Sequence, residues 1–399
     1  MSTNDAVSID RLPERLSLII GGPFHGFLQR LRLLGPDHLP GFKAAAILAA
    51  VTWLLPASLA VMQAILTGDR QPLGFFSDPS TIARFAVAVF ALVIAERKAD
   101  ARITLVTDSF RTMRLVTGAD VARLTDVLAT ADRRTSSRIA EGVILAVALV
   151  LPGLIFDYAV TMEPSSAWEG RVQGGSVFLY WAGHGARWVS APLFQFLLLR
   201  WLWRFAVLTW LMFQLSRIPL QLSVLHPDRM GGLSFLALYP TVFNGLLFAV
   251  GSASAASFIR DLGAESIALE TVQLAVAAWI GIVVAIVIGP LAAFVPCLSA
   301  LKGDAVLRYG HLATQFHQSL ERKWLGSGAT AEDLMLTTDA STAADLNAIV
   351  ASIWHLRAIP VDASTLFSVV LAAGIPMLAV LATQMPLREL ASSLVSVVL

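Results

Sequence analysis

Charged residues are scarce in this sequence. Asp, Glu, Lys and Arg make up 14% of its 399 residues, against roughly 25% in an ordinary soluble domain. Hydrophobic residues make up 56%, and the mean hydropathy is +0.70. The shortage is concentrated. No charged residue occurs in Ala44–Gly68, Met230–Ile259, Thr271–Leu301 or Ala363–Leu387. As helix, at about 1.5 Å per residue, each run exceeds a bilayer core of about 30 Å. A soluble core does not need four such runs, so the chain reads as an all-α, polytopic transmembrane helix bundle. Its expected contacts are the lipid bilayer and further copies of itself.

Other absences narrow the chemistry. A single cysteine, Cys297, excludes an intrachain disulfide and a cysteine-based zinc site. A net charge of +1 without a basic, aromatic-laced stripe gives no case for nucleic acid. The first 43 residues hold no apolar stretch suited to a cleaved leader, so the first span is expected to target the chain. There is no HExxH, GxSxG, Ser-Lys or Walker pattern, and the histidines do not converge. No metal, cofactor or catalytic residue is expected, and the chain does not read as an enzyme.

What is present falls into alternating segments. Residues 1–43 carry Leu12, Leu16, Ile19, Phe24, Phe27, Leu31 and Leu34 at helical spacing, broken by Gly21-Gly22-Pro23. They read as an amphipathic helical pair. Residues 44–95 hold two spans, with Pro56 inside the first. Residues 96–138 are charged, yet Ile103, Val106, Phe110, Met113, Val121, Leu124, Leu128 and Ala131 trace one helical face, interrupted at Gly118. Spans three to six occupy 139–301. Residues 302–361 form a second charged segment, with a stripe of Val306, Tyr309, Ala313, Phe316, Leu320 and Trp324. A further helix there is expected from a capping box at Thr342 and Asp345. Residues 362–399 hold the last span and an interfacial tail from Pro386. The two charged segments are expected to pack together as one cytoplasmic layer.

Residues 172–216 are long enough for one bent span or two. The Lys/Arg distribution favours one, with a break at Ala191-Pro192. Seven spans then place 21 Lys/Arg in 1–43, 96–138, 217–229 and 302–361, and six on the other side. The expected location is a bacterial inner membrane, with the N-terminus cytoplasmic.

The segment His226-Pro227-Asp228-Arg229-Met230-Gly231-Gly232-Leu233 resembles the HPDRxGGL signature of a bacterial family of multispanning inner-membrane proteins. Residues 217–399 are similar to that family at Arg308-Tyr309-Gly310, Lys323-Trp324, Ala344-Asp345-Leu346, Pro360, Ile375-Pro376 and Met385-Pro386-Leu387. The resemblance implies membrane topology and no chemistry.

Three clusters carry the candidate site residues. In the signature, His226, Asp228, Arg229, Gly231 and Gly232 read either as a backbone nest for an anion or lipid head group, or as a helix-start turn capped by Asp228. Arg200 and Arg204, one turn apart, read either as an anion-contacting surface of a pore, or as snorkelling anchors flanked by Trp201 and Trp203. Since Phe205–Ser216 carries no charge and few acids are expected at that depth, a hydrated cavity is expected to receive both guanidinium groups. Asp157, His184 and Arg187, near the outer ends of neighbouring spans, read as an ion pair or a proton or ion site. Gly251, Ser252, Ala253, Ser254, Ala255, Ala256 and Ser257 form a small-residue surface for close helix packing, an oligomer interface or a pore wall. Two functions fit: a homo-oligomeric channel or transporter for a small, anionic solute, or a non-transporting scaffold or regulator acting through its cytoplasmic helical layer.

Overall fold

A computed structural model describes residues 17, 20–118, 120–162, 168–173, 176–264, 269–326 and 338–384. The expectations for Leu12, Leu16, Ile19 and the tail from Pro386 lie outside the described residues. Among the described residues, eleven helices of nine residues or more follow one another along the chain. They are α1 (Gly22–Arg30), α2 (Phe42–Thr67), α3 (Pro79–Thr112), α4 (Asp120–Thr135), α5 (Arg138–Met162), α6 (Trp181–Leu215), α7 (Asn244–Ala264), α8 (Leu269–Ile288), α9 (Val295–Gly326), α10 (Thr338–Trp354) and α11 (Ala363–Gln384). Among the described residues, seven helical segments are long and apolar enough to cross a bilayer, so the chain is a multi-pass integral membrane protein. Its lipid-facing side shows the inverted pattern expected there. Val143, Val150 and Leu154 on α5 and Leu274 and Ile282 on α8 are exposed, although apolar.

Local chemistry fixes several boundaries. Gly21 and Gly22 take positive φ values of 117° and 82°, opening α1 with Pro23 in its first turn. Asp78 accepts a hydrogen bond from the Ser80 N–H at 2.8 Å, starting α3 behind Pro79. Asp362 does the same for the Thr365 N–H at 2.7 Å at the head of α11. Gly118 interrupts the chain between α3 and α4 with φ 62°. The second charged helix of 302–361 begins at Thr338, ahead of the expected capping box.

Residues 172–216 hold one span, and its start differs from the expectation. β1 (Gly170–Gln173) and β2 (Ser176–Leu179) pair antiparallel, Gly170 opposite Leu179, at one end of the bundle. α6 then runs unbroken from Trp181, with a π-helical turn at Ala186–Ser190 just ahead of Pro192. Trp168 seats this hairpin end by packing edge-on against Phe75 at 5.0 Å and donating from Nε1 to Asp78 at 3.0 Å.

The opposite end carries α1, α4, residues 216–233 and the α9–α10 hairpin. Here two spans do not stop where the charges begin: α3 continues from the second span to Thr112, and a 3-10 turn at Gly289–Phe294 joins α8 directly to α9. The single joint layer expected from 96–138 and 302–361 is replaced by two arrangements. The tail of α3 and α4 bury Ile103, Val106, Phe110, Leu124 and Leu128 in the main core, with Phe110 edge-on to Phe235 at 4.9 Å. The Ala313–Leu320 face of α9 turns instead toward α10, where His317 meets Asn347 at 3.0 Å. The main core already had a stripe-bearing partner in α6, which left α9 to pair with its sequence neighbour.

Candidate functional site: a buried cluster of opposite charges

Glu96 and Asp100 are one turn apart on α3, in phase with Ile103 and Phe110. Arg200 and Arg204 are one turn apart on α6, in phase with Leu197, Leu208 and Leu211. Both stripes face the core, so packing α3 against α6 brings acid to base. Glu96 Oε1 accepts from Nη1 of Arg200 and from Nη1 of Arg204, each at 2.8 Å. Glu141, in the first turn of α5, completes the cluster: its Oε1 lies 3.2 Å from Arg200 Nε, an ion-pair contact in which the N–H does not point at the oxygen. Glu96 is 1% exposed and Arg204 2%.

The N-terminal segment closes over these charges. The Phe24 N–H donates to Glu141 Oε2 at 3.3 Å, so a carboxylate satisfies the otherwise unpaired start of α1. Phe24 lays its ring 4.8 Å from the Arg200 guanidinium. Gly22 passes so close that a Cβ there would lie 2.5 Å from Glu141 Oε2. Ser17 donates to Asp100 Oδ1 at 2.7 Å. Four helices, α1, α3, α5 and α6, therefore meet at one point. Glu96 contacts both guanidinium groups and Glu141 that of Arg200, the pairing under which charges survive burial, while Asp100, a third buried carboxylate, accepts from Ser17. Glu96 Oε2 and Arg204 Nη2 are buried without a hydrogen-bond partner among the described residues.

This corrects the expectation of a hydrated cavity around Arg200 and Arg204. Acids do reach that depth, because α3 extends past residue 95 as the same helix and places Glu96 in the bundle. Protein covers the core-facing side of the charge-free run after Arg204, where Leu208, Leu211, Met212 and Leu215 are all buried in the main core, while Phe213 on the other face is half exposed. Trp210 packs under the Arg134 guanidinium of α4 at 4.0 Å. Nor do the tryptophans form an interfacial belt around snorkelling arginines. Trp201 is fully buried and donates from Nε1 to the Leu92 carbonyl at 2.9 Å, and Trp203 donates to the Arg134 carbonyl at 3.0 Å.

In the signature turn, the Asp228 carboxylate accepts from the N–H groups of Met230 (2.8 Å), Gly232 (3.1 Å) and Ser234 (3.1 Å), and lies 2.9 Å from His226 Nδ1. Arg229, Gly231 and Gly232 have φ of 57°, 67° and 97°, which turns these N–H groups inward. The nest exists, and the chain's own carboxylate fills it. Burial alone would raise the Asp228 carboxyl, but the backbone N–H groups and His226 outweigh it and hold it below the ordinary aspartate range. The Arg229 carbonyl accepts from the Arg357 N–H at 2.8 Å, tying this turn to the segment that leads into α11.

The remaining candidates divide. Arg187 packs against Gly153 of α5, its Nη2 3.3 Å from where a Cβ would stand. His184 is exposed, and the Asp157 side chain lies outside the described residues. Gly251 is spent on packing, since a Cβ there would lie 2.9 Å from the Ala373 carbonyl oxygen of α11. Among the described residues no group of His, Cys, Asp or Glu has metal-binding geometry. The residues that sequence reading missed are Glu96 and Glu141. Glu96 was recoverable from its phase, seven residues before Ile103 and fourteen before Phe110 on the buried stripe, whereas for Glu141 no pattern marks the partner. No protein-family model matches the chain, and comparison with curated proteins and with solved structures gives no match either.

Proposed function

We propose that this chain is a non-transporting membrane scaffold or regulator that works through the helical layer at its charge-rich end. The observation that carries the reading is the bonding of Arg200 and Arg204 to one oxygen of Glu96 inside the bundle. The charges that most favoured a conduction path are engaged with one another. An entering anion would have to displace Glu96 and leave it buried without a partner, at a cost of several kcal/mol. The cluster instead fixes α6 at its midpoint. The second half of that helix then serves as a mast on which α4 and the tail of α3 are assembled.

The same proposal places the chain in a bacterial inner membrane with this end cytoplasmic, on the strength of the Lys/Arg distribution, and counts it in the HPDRxGGL family. The alternative, a homo-oligomeric channel or transporter, keeps the small residues of α7 as its support, and of these Gly251 is engaged with α11. Reconstitution into liposomes loaded with chloride and a chloride-sensitive dye separates the two. Efflux equal to that of empty liposomes is expected. Efflux that is abolished by Arg200→Gln would restore the conduit reading.

A further inference from the structure

A groove of about 770 Å³ runs along the lipid-facing side between α3 and α7. Its wall is apolar, with Val87, Phe90, Ala91 and Ala95 from α3 and Phe248 from α7. It is shaped by one close approach: a Cβ on Gly245 would stand 2.0 Å from the Ala95 Cβ, so the two backbones nearly touch and leave a trough beside the contact. At one end only, the wall turns cationic. Lys98 and Arg102, one turn apart on α3, both line it. Arg102 donates through Nη1 to the Thr241 carbonyl, which leaves its other N–H groups unspent among the described residues. Lys98 is exposed and makes no hydrogen bond or ion pair with any of them.

The position of this cationic end relative to a bilayer follows from α3 itself. Arg84 and Arg102 lie eighteen residues apart on that helix, about 27 Å, close to the thickness of a hydrocarbon core. Arg84 binds Ser257 Oγ at 3.0 Å at the far side, and Arg102 marks the near side. The apolar trough therefore lies within the hydrocarbon, and the two cations lie at the head-group level of the charge-rich end. An apolar trough with a paired cation at its mouth complements one kind of molecule present at that depth. We propose that the groove is a binding site for an anionic phospholipid, with an acyl chain along Phe90, Ala91 and Phe248 and the phosphate between Lys98 and Arg102. This site is distinct from the signature turn, whose donors Asp228 already occupies, and it does not depend on the scaffold reading.

The test uses the full chain, delipidated in detergent, titrated with phosphatidylglycerol and, separately, with phosphatidylcholine, and read by native mass spectrometry. Wild type is expected to retain phosphatidylglycerol in preference to phosphatidylcholine. Lys98→Gln should weaken phosphatidylglycerol binding about fivefold and leave phosphatidylcholine unchanged, and Lys98→Gln/Arg102→Gln should weaken it further. Val87→Trp, which fills the trough without touching either cation, should weaken both lipids. Arg138→Gln, an exposed cation at the start of α5, a helix that contributes no residue to the groove, should change neither. Equal retention of the two lipids by wild type, or a Lys98→Gln protein that binds phosphatidylglycerol as wild type does, would overturn the proposal. The single lysine variant is decisive even if Arg102→Gln destabilises the fold, because Lys98 gives up no bond within the described protein.

Discussion

Gly245 of α7 and Ala95 of α3 approach so closely that a methyl group on the glycine would stand 2.0 Å from the alanine Cβ. In a bilayer, where lipid tails are as apolar as leucine, close backbone packing of this kind replaces the hydrophobic effect as the force between helices. Gly245→Ala is therefore expected to destabilise the protein by about 2 kcal/mol through overpacking. Ala95→Gly in the same chain should restore much of the loss. Thermal unfolding in detergent, followed by the fluorescence of the ten tryptophans, measures both. A Gly245→Ala protein as stable as wild type would show that the helices separate freely there.

Asp228 holds the turn before the fifth span by accepting three backbone N–H groups. Asp228→Asn keeps the shape, loses the charge and presents an N–H₂ where an acceptor is needed, for an expected cost of about 2 kcal/mol. The folded carboxyl lies below its ordinary value of 3.8. Its contribution to stability is accordingly present in full above that value and is lost as pH falls through the lower folded value. Acid unfolding of wild type and Asp228→Asn should converge below that point and diverge above it. Parallel curves at all pH values would mean that the carboxylate contributes nothing.

Orientation is tested by cysteine labelling in intact cells, with Cys297 first replaced by Ser. A cysteine at Ser319 on α9 is expected to be shielded from an impermeant thiol reagent, and one at Arg171 on β1 to react. Both positions are exposed on the protein, so differing reactivity reports the side of the membrane. Equal labelling would invert or break the proposed topology.

The fold was legible where its physics is one-dimensional. Charge-free runs of bilayer length mark spans whatever they pack against, and periodicity marks the Ala313–Leu320 face of α9 as a buried one but not its partner, which is α10 and not residues 96–138. Span ends were harder to read. A helix that leaves the bilayer and enters a protein layer does not break, so Glu96 continues α3 although it opens a charged segment. The run after Arg204 shows the converse. One face of Phe205–Ser216, with Leu208, Leu211, Met212 and Leu215, is covered by protein, and sequence alone does not distinguish a sheath of protein from a sheath of lipid. The signature turn left two readings open because a nest and an Asp cap use the same glycines. Only the position of the Asp228 carboxylate, inside the nest, separates them.

The buried cluster is the centre of this account, and thermal unfolding of two variants in the same detergent tests it most directly. Glu96→Gln removes the carboxylate that both arginines share and leaves Arg204 charged and unpaired in the core, so a loss of about 3–5 kcal/mol is expected. Glu96→Gln/Arg204→Met removes charge and countercharge together while Arg200 keeps Glu141, so the double variant should unfold well above the single one. A Glu96→Gln protein that unfolds at the wild-type temperature, or a double variant less stable than the single, would contradict the claim that Glu96 locks α3 to α6.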